Sequence, residues 1–171
     1  MRYENIYFIG IGGIGMSAIA RFCKFKGANV SGYDRTPSAL TKALESEGIQ
    51  VHYNDDPSQI PADIQNTLIV YTPAVPNTLA ELSTAREKGY NVIKRSKMLG
   101  ELTHGETCLA VAGTHGKTTT STLVAHILTE SESGCSAFLG GISKNYGTNM
   151  LVSETKTVVA EADEFDRSFL Q

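Results

Sequence analysis

The run 108–120, which reads C-L-A-V-A-G-T-H-G-K-T-T-T, constrains the fold of this chain more than any other stretch. Small apolar residues at 109–112 predict a buried strand, which breaks at Gly113, and a run compatible with a helix begins near Lys117. A loop placed between a buried strand and a helix is the setting in which a phosphate-binding loop operates. The run therefore predicts an α/β unit built around such a loop.

Each residue type between the strand and the helix suits a nucleoside triphosphate site. Gly113 and Gly116 let the backbone turn so that successive N–H groups point inward, and Lys117 can reach the outer phosphates. Thr118 supplies a hydroxyl for Mg²⁺. The general pattern G-x-x-x-x-G-K-[ST] requires glycine where this chain has Val111, so the loop is a variant. The alternative is a glycine-rich turn capped by threonines, with the lysine merely solvated.

A second glycine-rich turn lies near the start of the chain. The apolar run 6–10 leads into Gly10, Gly12 and Gly15 in the spacing G-x-G-x-x-G, and residues 17–26 have helical periodicity. A further strand, 29–33, ends on Asp34, at about the distance from which an acid accepts a ribose hydroxyl. The pattern predicts a dinucleotide-binding Rossmann unit, with Gly13 opening the turn further. Tight packing of strand on helix without a ligand is the alternative.

Strands and helices alternate through residue 103. Helices are predicted at 38–47 (begun by Thr36 and Pro37), 77–88 (capped by Asn77) and 96–103, and strands at 49–53, 67–71 and 92–93. This alternation predicts an α/β fold with a Rossmann-like parallel sheet. The prolines of the loop 72–76 exclude regular pairing at the carboxyl end of a strand, the edge where ligands bind in such sheets. His52 and His104 are expected to be structural or exposed.

The polar stretch 103–107 suggests a domain boundary, giving a first domain at 1–104 and part of a second at 105–171. In the second, strands are predicted at 135–139 and 157–160, and the latter runs into acidic residues at 161–166. Glu161, at the end of a buried strand beside the phosphate-loop strand, is the predicted Mg²⁺-binding acid. Asp163, Glu164 and Asp166 equally fit a solvated acidic turn. The residues after 104 are too few for a nucleotide-hydrolysing domain of roughly 150 residues, so a fragment is expected.

Composition excludes several classes of partner. The chain has 171 residues, a net charge of −3 and a pI near 5.8, so no polybasic surface favours nucleic acid or an anionic membrane. Small molecules are the expected partners. The N-terminus has no apolar segment long enough for a signal peptide or a membrane span, which predicts a cytoplasmic protein. Cys23, Cys108 and Cys135 are widely spaced, which favours idle thiols over a disulfide framework or a zinc site.

Taken together, four motifs resemble the Mur ligase family over the whole chain: G-I-G-G-I-G-M at 10–16, A-G-T-H-G-K-T-T-T at 112–120, G-T-N at 147–149 and E-A-D-E-F-D-R-S-F-L at 161–170. The family's acidic motif often has serine where this chain has Phe165. The resemblance implies a UDP-binding Rossmann-like domain followed by the beginning of a P-loop ATPase domain.

The resemblance also implies a reaction. The carboxylate of UDP-N-acetylmuramate attacks the γ-phosphate of ATP, and the amine of L-alanine then attacks the acyl phosphate, giving an amide, ADP and phosphate in peptidoglycan precursor synthesis. A recycling ligase of the same family, which attaches a preformed peptide, is one alternative. An NAD-binding dehydrogenase or regulatory module is another, although it leaves the loop 113–118 unexplained. The chain alone is expected to bind the UDP-sugar without ligating it.

Roles for individual residues follow from the resemblance. Lys117 and Glu161 are the implied catalytic residues, and Thr118 and Glu161 are the implied Mg²⁺ ligands. ATP would be lined by Gly113, Thr114, His115, Gly116, Lys117, Thr118 and Thr119. The UDP-sugar would be contacted by Gly12, Gly13, Ile14, Gly15, Asp34, Arg35, Thr72, Pro73, Ala74 and Asn149.

Overall fold

The computed structural model describes residues 2–162 and divides into two compact units, Met1–Arg95 and Ser96–Gln171. The division falls before the helix that the sequence analysis assigned to the first domain. The proposed functional boundary after residue 104 therefore remains a prediction. Nothing in the described part of the chain is a helix long and apolar enough to cross a membrane.

The first unit is a parallel sheet with helices, as the alternating pattern predicted. Its strands are β1 (Asn5–Ile9), β2 (Asn29–Tyr33), β3 (Gln50–His52), β4 (Thr67–Tyr71) and β5 (Asn91–Lys94), in the order β3-β2-β1-β4-β5. The helices are α1 (Ile14–Phe25), α2 (Ala39–Ser46) and α3 (Ala80–Glu87), with a 3₁₀ turn at Pro57–Gln59. All four strand pairings are parallel, so every strand ends at the same edge.

The core of this unit forms around the central strand β1. Ile6, Tyr7, Phe8 and Ile9 are each at most 1% exposed, because β1 has a strand on either side and its side chains are covered on both faces of the sheet. One cluster of buried side chains combines residues from several elements: Tyr7, Ile9, Tyr33, Ile60, Ile69, Leu82, Ala85 and Tyr90.

A buried polar network crosses this core. The Tyr7 hydroxyl donates to Glu81 Oε2 at 2.7 Å and lies 2.6 Å from His52 Nε2, while the backbone N–H of Asp56 donates to Glu81 Oε1 at 3.0 Å. Glu81 is fully buried, and burial raises the pKa of its carboxyl to about 7 despite these hydrogen bonds. His52 is thus a satisfied structural residue, as expected, and His104 is exposed.

Two helices begin differently from the prediction. Ser38, rather than Thr36, caps α2, and its side chain and that of Thr41 form a reciprocal capping box. Asn77 does not cap α3, whose first residue is Ala80. The carboxylate of Asp55 instead accepts hydrogen bonds from two backbone N–H groups at the start of α3, at 2.8 and 2.9 Å. A cap supplied from a distant part of the chain leaves no local pattern in the sequence.

The second unit contains a smaller mixed sheet. α4 (Arg95–Thr103) leads into β6 (Thr107–Val111), α5 (Lys117–Glu130), β7 (Ser136–Phe138), β8 (Met150–Leu151) and β9 (Thr157–Glu161). The strand order is β6-β9-β7-β8, with β8 antiparallel to β7 and the other pairings parallel. The prediction that the acidic strand neighbours the phosphate-loop strand is confirmed, because β9 pairs directly with β6.

The prediction that β6 is a buried strand is wrong. Its residues are exposed apart from the half-buried Val111, and the Leu109 side chain is 40% exposed. The reason is its position at the edge of the sheet, where β9 is its one partner among the described strands. The buried cluster of this unit lies instead between α5 and the strands β7 and β9, and comprises Ala125, Cys135, Ala137, Leu139 and Val159. All three cysteines are free thiols, and Cys108 is exposed.

Candidate phosphate-binding sites

The loop between β6 and α5 owes its shape to two glycines. Gly113 has φ 147° and Gly116 has φ 75°, values that side chains other than glycine adopt only with strain. Gly116 is the N-cap of α5 and has no side chain with which to close the helix end. The loop therefore presents backbone N–H groups at the positive end of a 14-residue helix, which favours an anion.

Lys117 is the first residue of α5 and lies over this loop. Its Nζ donates a hydrogen bond to the carbonyl of Gly113 at 2.7 Å. The loop carries a further local contact, because His115 Nδ1 lies 3.2 Å from the hydroxyl of Thr114. The predicted lysine is thus placed within the loop, where a phosphate oxygen would compete with the Gly113 carbonyl for the ammonium group.

Glu161 gathers hydrogen-bond donors at the end of β9. Its carboxylate accepts bonds from the hydroxyl of Thr118 at 3.2 Å and from the hydroxyl of Ser121 at 3.0 Å. The strand register explains the meeting, because Glu161 pairs with Val111, the last residue of β6 before the loop. The structure thus brings together the two residues that the sequence analysis assigned to Mg²⁺.

Sequence reasoning missed two members of this cluster. Ser121 lies one helical turn after Thr118 on α5, so the i, i+3 spacing would have placed both hydroxyls on one face. The backbone N–H of Gly140 donates to Glu161 Oε1 at 2.8 Å. A Cβ at Gly140 would lie 2.5 Å from the other carboxylate oxygen, so the close approach requires glycine. Gly140 directly follows the predicted strand 135–139, and that position is the sequence signal that could have found it.

The remaining predicted residues of this unit have varied positions. Thr119 is exposed, whereas Asn149 is fully buried and its carbonyl accepts a hydrogen bond from the backbone N–H of Leu139 at 3.0 Å. A ligand role for Asn149 stays a prediction. Asp163, Glu164, Phe165 and Asp166 lie outside the described residues.

The glycine turn of the first unit uses its own backbone N–H groups internally. The amides of Gly10 and Ile11 both donate to the carbonyl of Tyr33, and that of Gly13 donates to the carbonyl of Gly10. The amide of Gly12 donates to Asp34 Oδ2 at 2.7 Å. Asp34 therefore fixes the turn, and the four amides from 10 to 13 are already paired.

A cavity of about 700 Å³ opens beside this turn, at the carboxyl edge of the sheet. Among the predicted substrate residues, Gly12, Gly13, Asp34, Arg35, Thr72 and Ala74 line it. The other lining residues are Gly10, Tyr33, Thr36, Ser38, Val75, Pro76 and Leu79. The predicted residues Ile14 and Gly15 begin α1, and Pro73 lies within the lining loop without being a lining residue. Burial raises the pKa of the Tyr33 hydroxyl, with the carboxylates of Asp55 and Glu81 adding to the effect.

Two strand–turn–helix units, each with a helix N-terminus at the turn, are typical of nucleotide-binding α/β proteins. The family model described as "Mur ligase family, catalytic domain" matches residues 5–107. That match covers more than half of the chain, and the chain belongs to the Mur ligase family. The matched residues contain the first glycine turn and its cavity.

Curated relatives extend the likeness through the second loop. A protein of Porphyromonas gingivalis named UDP-N-acetylmuramate–L-alanine ligase is 59% identical over 170 residues, which are 97% of this chain and 37% of that protein. A protein of Flavobacterium psychrophilum with the same name is 55% identical over 169 residues, 98% of this chain and 38% of its own length. The chain therefore spans well under half the length of these relatives.

Solved structures give the same fold. The UDP-N-acetylmuramate–alanine ligase of Thermotoga maritima matches with a TM-score of 0.81 and 30% identity, covering 92% of this chain and 37% of that one. The UDP-N-acetylmuramate:L-alanyl-γ-D-glutamyl-meso-diaminopimelate ligase of Neisseria meningitidis matches with a TM-score of 0.87 and 29% identity, covering 96% of this chain and 54% of that one. Both support the Rossmann-like parallel sheet followed by a second α/β unit.

Proposed function

We propose that the full-length protein, meaning this chain extended to the length of its relatives, joins L-alanine to the carboxylate of UDP-N-acetylmuramate with conversion of ATP to ADP. The observation that carries the proposal is the 59% identity to a ligase of that name over 97% of the chain, a span that includes both phosphate-binding turns. The product is a peptidoglycan precursor, and the reaction belongs in the cytoplasm, where ATP is available.

The loop 113–119 is the proposed ATP site. Its two positive-φ glycines and the start of α5 favour the phosphates, and Lys117 would exchange the Gly113 carbonyl for β- and γ-phosphate oxygens. His115 would contribute its backbone N–H, since its ring is engaged locally with Thr114. The loop's task is to position charge around the transferring phosphoryl group.

The residues beside this loop fit Mg²⁺. The Glu161 carboxylate and the hydroxyls of Thr118 and Ser121 form a cluster of hard oxygen atoms within hydrogen-bond distance. No group of three or more His, Cys, Asp or Glu side chains in the range 2–162 is arranged to hold a metal ion, which suits Mg²⁺ shared between one carboxylate and substrate phosphates. Bound there, Mg²⁺ would neutralise charge on the phosphates. Thr118 and Glu161 are the proposed protein ligands.

The cavity of the first unit is the proposed uridine site. Its volume of about 700 Å³ suits a nucleoside, and Arg35 and the loop 72–76 supply polar and apolar walls. Asp34 acts mainly through the turn, because one of its carboxylate oxygens is bonded to the Gly12 amide and the other to the Thr36 amide. An adenine ribose would have to compete with both bonds, which disfavours the NAD-binding alternative.

The proposed chemistry needs activation of a carboxylate. The muramyl carboxylate attacks the γ-phosphorus of ATP, the bond to the β-γ bridging oxygen breaks, and ADP leaves. The amine of L-alanine then attacks the acyl carbon, phosphate leaves, and the amine loses a proton as the amide forms. Lys117 stabilises charge on the transferring group in the first step.

A recycling ligase is the second candidate, because the Neisseria meningitidis structure, whose name specifies a peptide acceptor, matches this chain with a TM-score of 0.87. The two candidates share the first substrate and differ in the acceptor.

An acceptor comparison tests the proposal. Purified full-length protein is given UDP-N-acetylmuramate, Mg²⁺ and ATP, and phosphate release is followed with L-alanine, with the peptide L-alanyl-γ-D-glutamyl-meso-diaminopimelate, or with neither. We expect release that depends on L-alanine. Release that depends on the peptide alone would select the recycling ligase, and equal release in all three arms would overturn both. The 171-residue chain assayed in the same way should release no phosphate.

A further inference from the structure

Arg95 is a cation beside the first glycine turn that the sequence analysis did not assign to the site. It follows β5 and begins α4, and its Nη1 lies 2.6 Å from the position that a Cβ on Gly15 would occupy. The guanidinium therefore lies against the first turn of α1 (Ile14–Phe25). Arg95 is half-buried, and it forms no hydrogen bond or ion pair with any other residue in the range 2–162.

The pairing of the turn's amides restricts where an anion can bind. The amides from 10 to 13 are bonded to Tyr33, Asp34 and Gly10, so they are not available to a phosphate. The next amides along the chain include those of Gly15 and Met16, which lie in the first turn of α1, where helix geometry provides no i−4 carbonyl. These amides are adjacent to the Arg95 guanidinium.

Electrostatics point to the same place. The N-terminus of α1 carries a partial positive charge, and its first turn contains no acidic residue. A guanidinium held against that end is repelled unless an anion lies between them. Asp34 is the acid that contacts this turn. Its two carboxylate oxygens accept hydrogen bonds from the backbone N–H groups of Gly12 and Thr36, and neither bonds to Arg95. A planar cation next to free amides suits a phosphate group.

We propose that Arg95 binds the diphosphate of the UDP-sugar, specifically the phosphate that carries the sugar. This inference rests on the proposed function. The cavity for the nucleoside is lined from the ends of β1, β2 and β4, and Gly12 and Gly13 form its edge. Arg95 follows β5, on the far side of β4 in the sheet, and touches Gly15. A chain of phosphates that leaves the cavity past Gly13 therefore meets Arg95 at its second phosphate.

The proposed position of the diphosphate also fixes the direction in which the sugar extends. With uridine in the cavity and the second phosphate on Arg95, the sugar leaves the first unit on the β5 side. Arg95 is thus a positioning residue for the reacting carboxylate, because it acts on the diphosphate and not on the reacting atoms.

The test compares ligands that differ by one phosphate. The 171-residue chain, its Arg95→Gln variant and its Lys97→Gln variant are titrated by calorimetry with UDP-N-acetylmuramate, UDP and UMP. Lys97 is an exposed cation on the same helix, so Lys97→Gln controls for the loss of one charge. Arg95→Gln should weaken the UDP-sugar and UDP by about 10- to 100-fold and UMP by less than about 3-fold, while Lys97→Gln changes none of them beyond about 2-fold.

Gly15→Ala provides an independent perturbation. Alanine suits a helical position, but its Cβ would lie 2.6 Å from Arg95 Nη1 and would therefore displace that side chain. We expect weaker UDP binding with no loss of thermal stability, and little further loss when Gly15→Ala is combined with Arg95→Gln, because the two changes remove one interaction. Arg95→Lys should recover part of the UDP affinity.

The outcomes separate this inference from the proposed function. The wild-type chain could bind UDP while Arg95→Gln leaves that affinity unchanged or weakens UDP and UMP equally. Either result would overturn the role of Arg95 and leave the uridine site in place. If Arg95→Gln does not fold, a Gly15→Ala variant that binds UDP and UMP as the wild type does would equally overturn it. Failure of the wild-type chain to bind any uridine nucleotide would overturn both.

Discussion

The two candidate phosphate-binding turns share a strand–turn–helix arrangement and differ in the hydrogen bonds that the neighbouring acid accepts. In the first unit, Asp34 from the adjacent strand accepts the amide of Gly12 and so closes the turn. In the second, Glu161 from the adjacent strand accepts hydroxyls of α5, so its carboxylate lies beside the helix instead of within the loop. An acid beside a hydroxyl suits a divalent cation, and an acid bonded to the turn does not.

The source of the cation differs as well. Lys117 comes from the loop's own helix and lies over the loop, whereas Arg95 reaches the first turn from the end of another strand. This contrast supports the proposal that the second loop binds a reacting, metal-bound triphosphate and that the first turn binds a diphosphate that does not react.

Lys117→Ala in the full-length protein should lower kcat by roughly 1,000-fold or more, because the ammonium that faces the γ-phosphate is lost in the transition state. The affinity for the UDP-sugar should stay within about 2-fold, since its site is in the first unit. Steady-state kinetics and calorimetry on the same preparation measure both quantities. Equal loss of both would mean that the two ligands are assigned to the wrong turns.

Glu161→Gln should lower kcat by roughly 100-fold and raise the Mg²⁺ concentration needed for half-maximal rate, because a neutral amide is a poor Mg²⁺ ligand. Ser121→Ala serves as a matched control, since it removes one hydrogen bond to Glu161 and keeps the carboxylate. We expect it to cost less than about 10-fold. An unchanged Mg²⁺ requirement in Glu161→Gln would remove Glu161 from the metal site.

Alanine should destabilise the glycines of the two turns for different reasons. Gly12→Ala places a Cβ 2.7 Å from Thr41 Cγ2 and 2.8 Å from Asp34 Oδ2, which should cost about 1 to 3 kcal/mol of unfolding free energy. Gly116 has open space but φ 75°, so Gly116→Ala should cost about 1 kcal/mol.

Asparagine separates the two causes, because it tolerates positive φ and is larger than alanine. Gly116→Asn should be more stable than Gly116→Ala, and Gly12→Asn less stable than Gly12→Ala, in urea unfolding. The same rank order at both positions would show that one constraint governs both turns.

Glu81→Gln should flatten the pH dependence of stability of the first unit. The folded-state pKa of Glu81 is raised to about 7, so folding favours the protonated form, and stability present below pH 4 is lost as the pH rises toward 7. The loss amounts to at most roughly 3 kcal/mol. Tyrosine fluorescence reports this unit, because every tyrosine except Tyr146 lies in it. An identical pH slope in wild type and variant would contradict the assignment.

Much of the fold follows from local pattern. The bounds of β2 and β4 coincide with the predicted 29–33 and 67–71. For β4, the reason is an apolar run between polar and turn residues, which is typical of a buried strand. The start of α3 and the exposure of β6 were not predictable in this way. One depends on Asp55 capping a helix from 25 residues away, and the other on which strands neighbour β6.

The residues of the candidate sites also differ in how far the sequence could predict them. Lys117, Thr118 and Glu161 were predicted because their residue types sit at fixed offsets from a strand end. Arg95 was not, because only the sheet order brings the end of β5 near Gly15. Asp34 was expected to contact a ribose, yet the structure gives both of its oxygens to backbone amides. Sequence spacing located the carboxylate and could not show which donors surround it.

Thermal unfolding of this chain with UDP-N-acetylmuramate, NAD⁺ and Mg·ADP, each added separately, tests most directly whether the first turn holds a UDP-sugar. A ligand at about 100 times its Kd stabilises by roughly 2.7 kcal/mol. For a chain of this size, that stabilisation corresponds to a rise in Tm of roughly 5 to 10 °C. We predict such a shift with UDP-N-acetylmuramate and none with NAD⁺. A shift with NAD⁺ and none with the UDP-sugar would contradict the account.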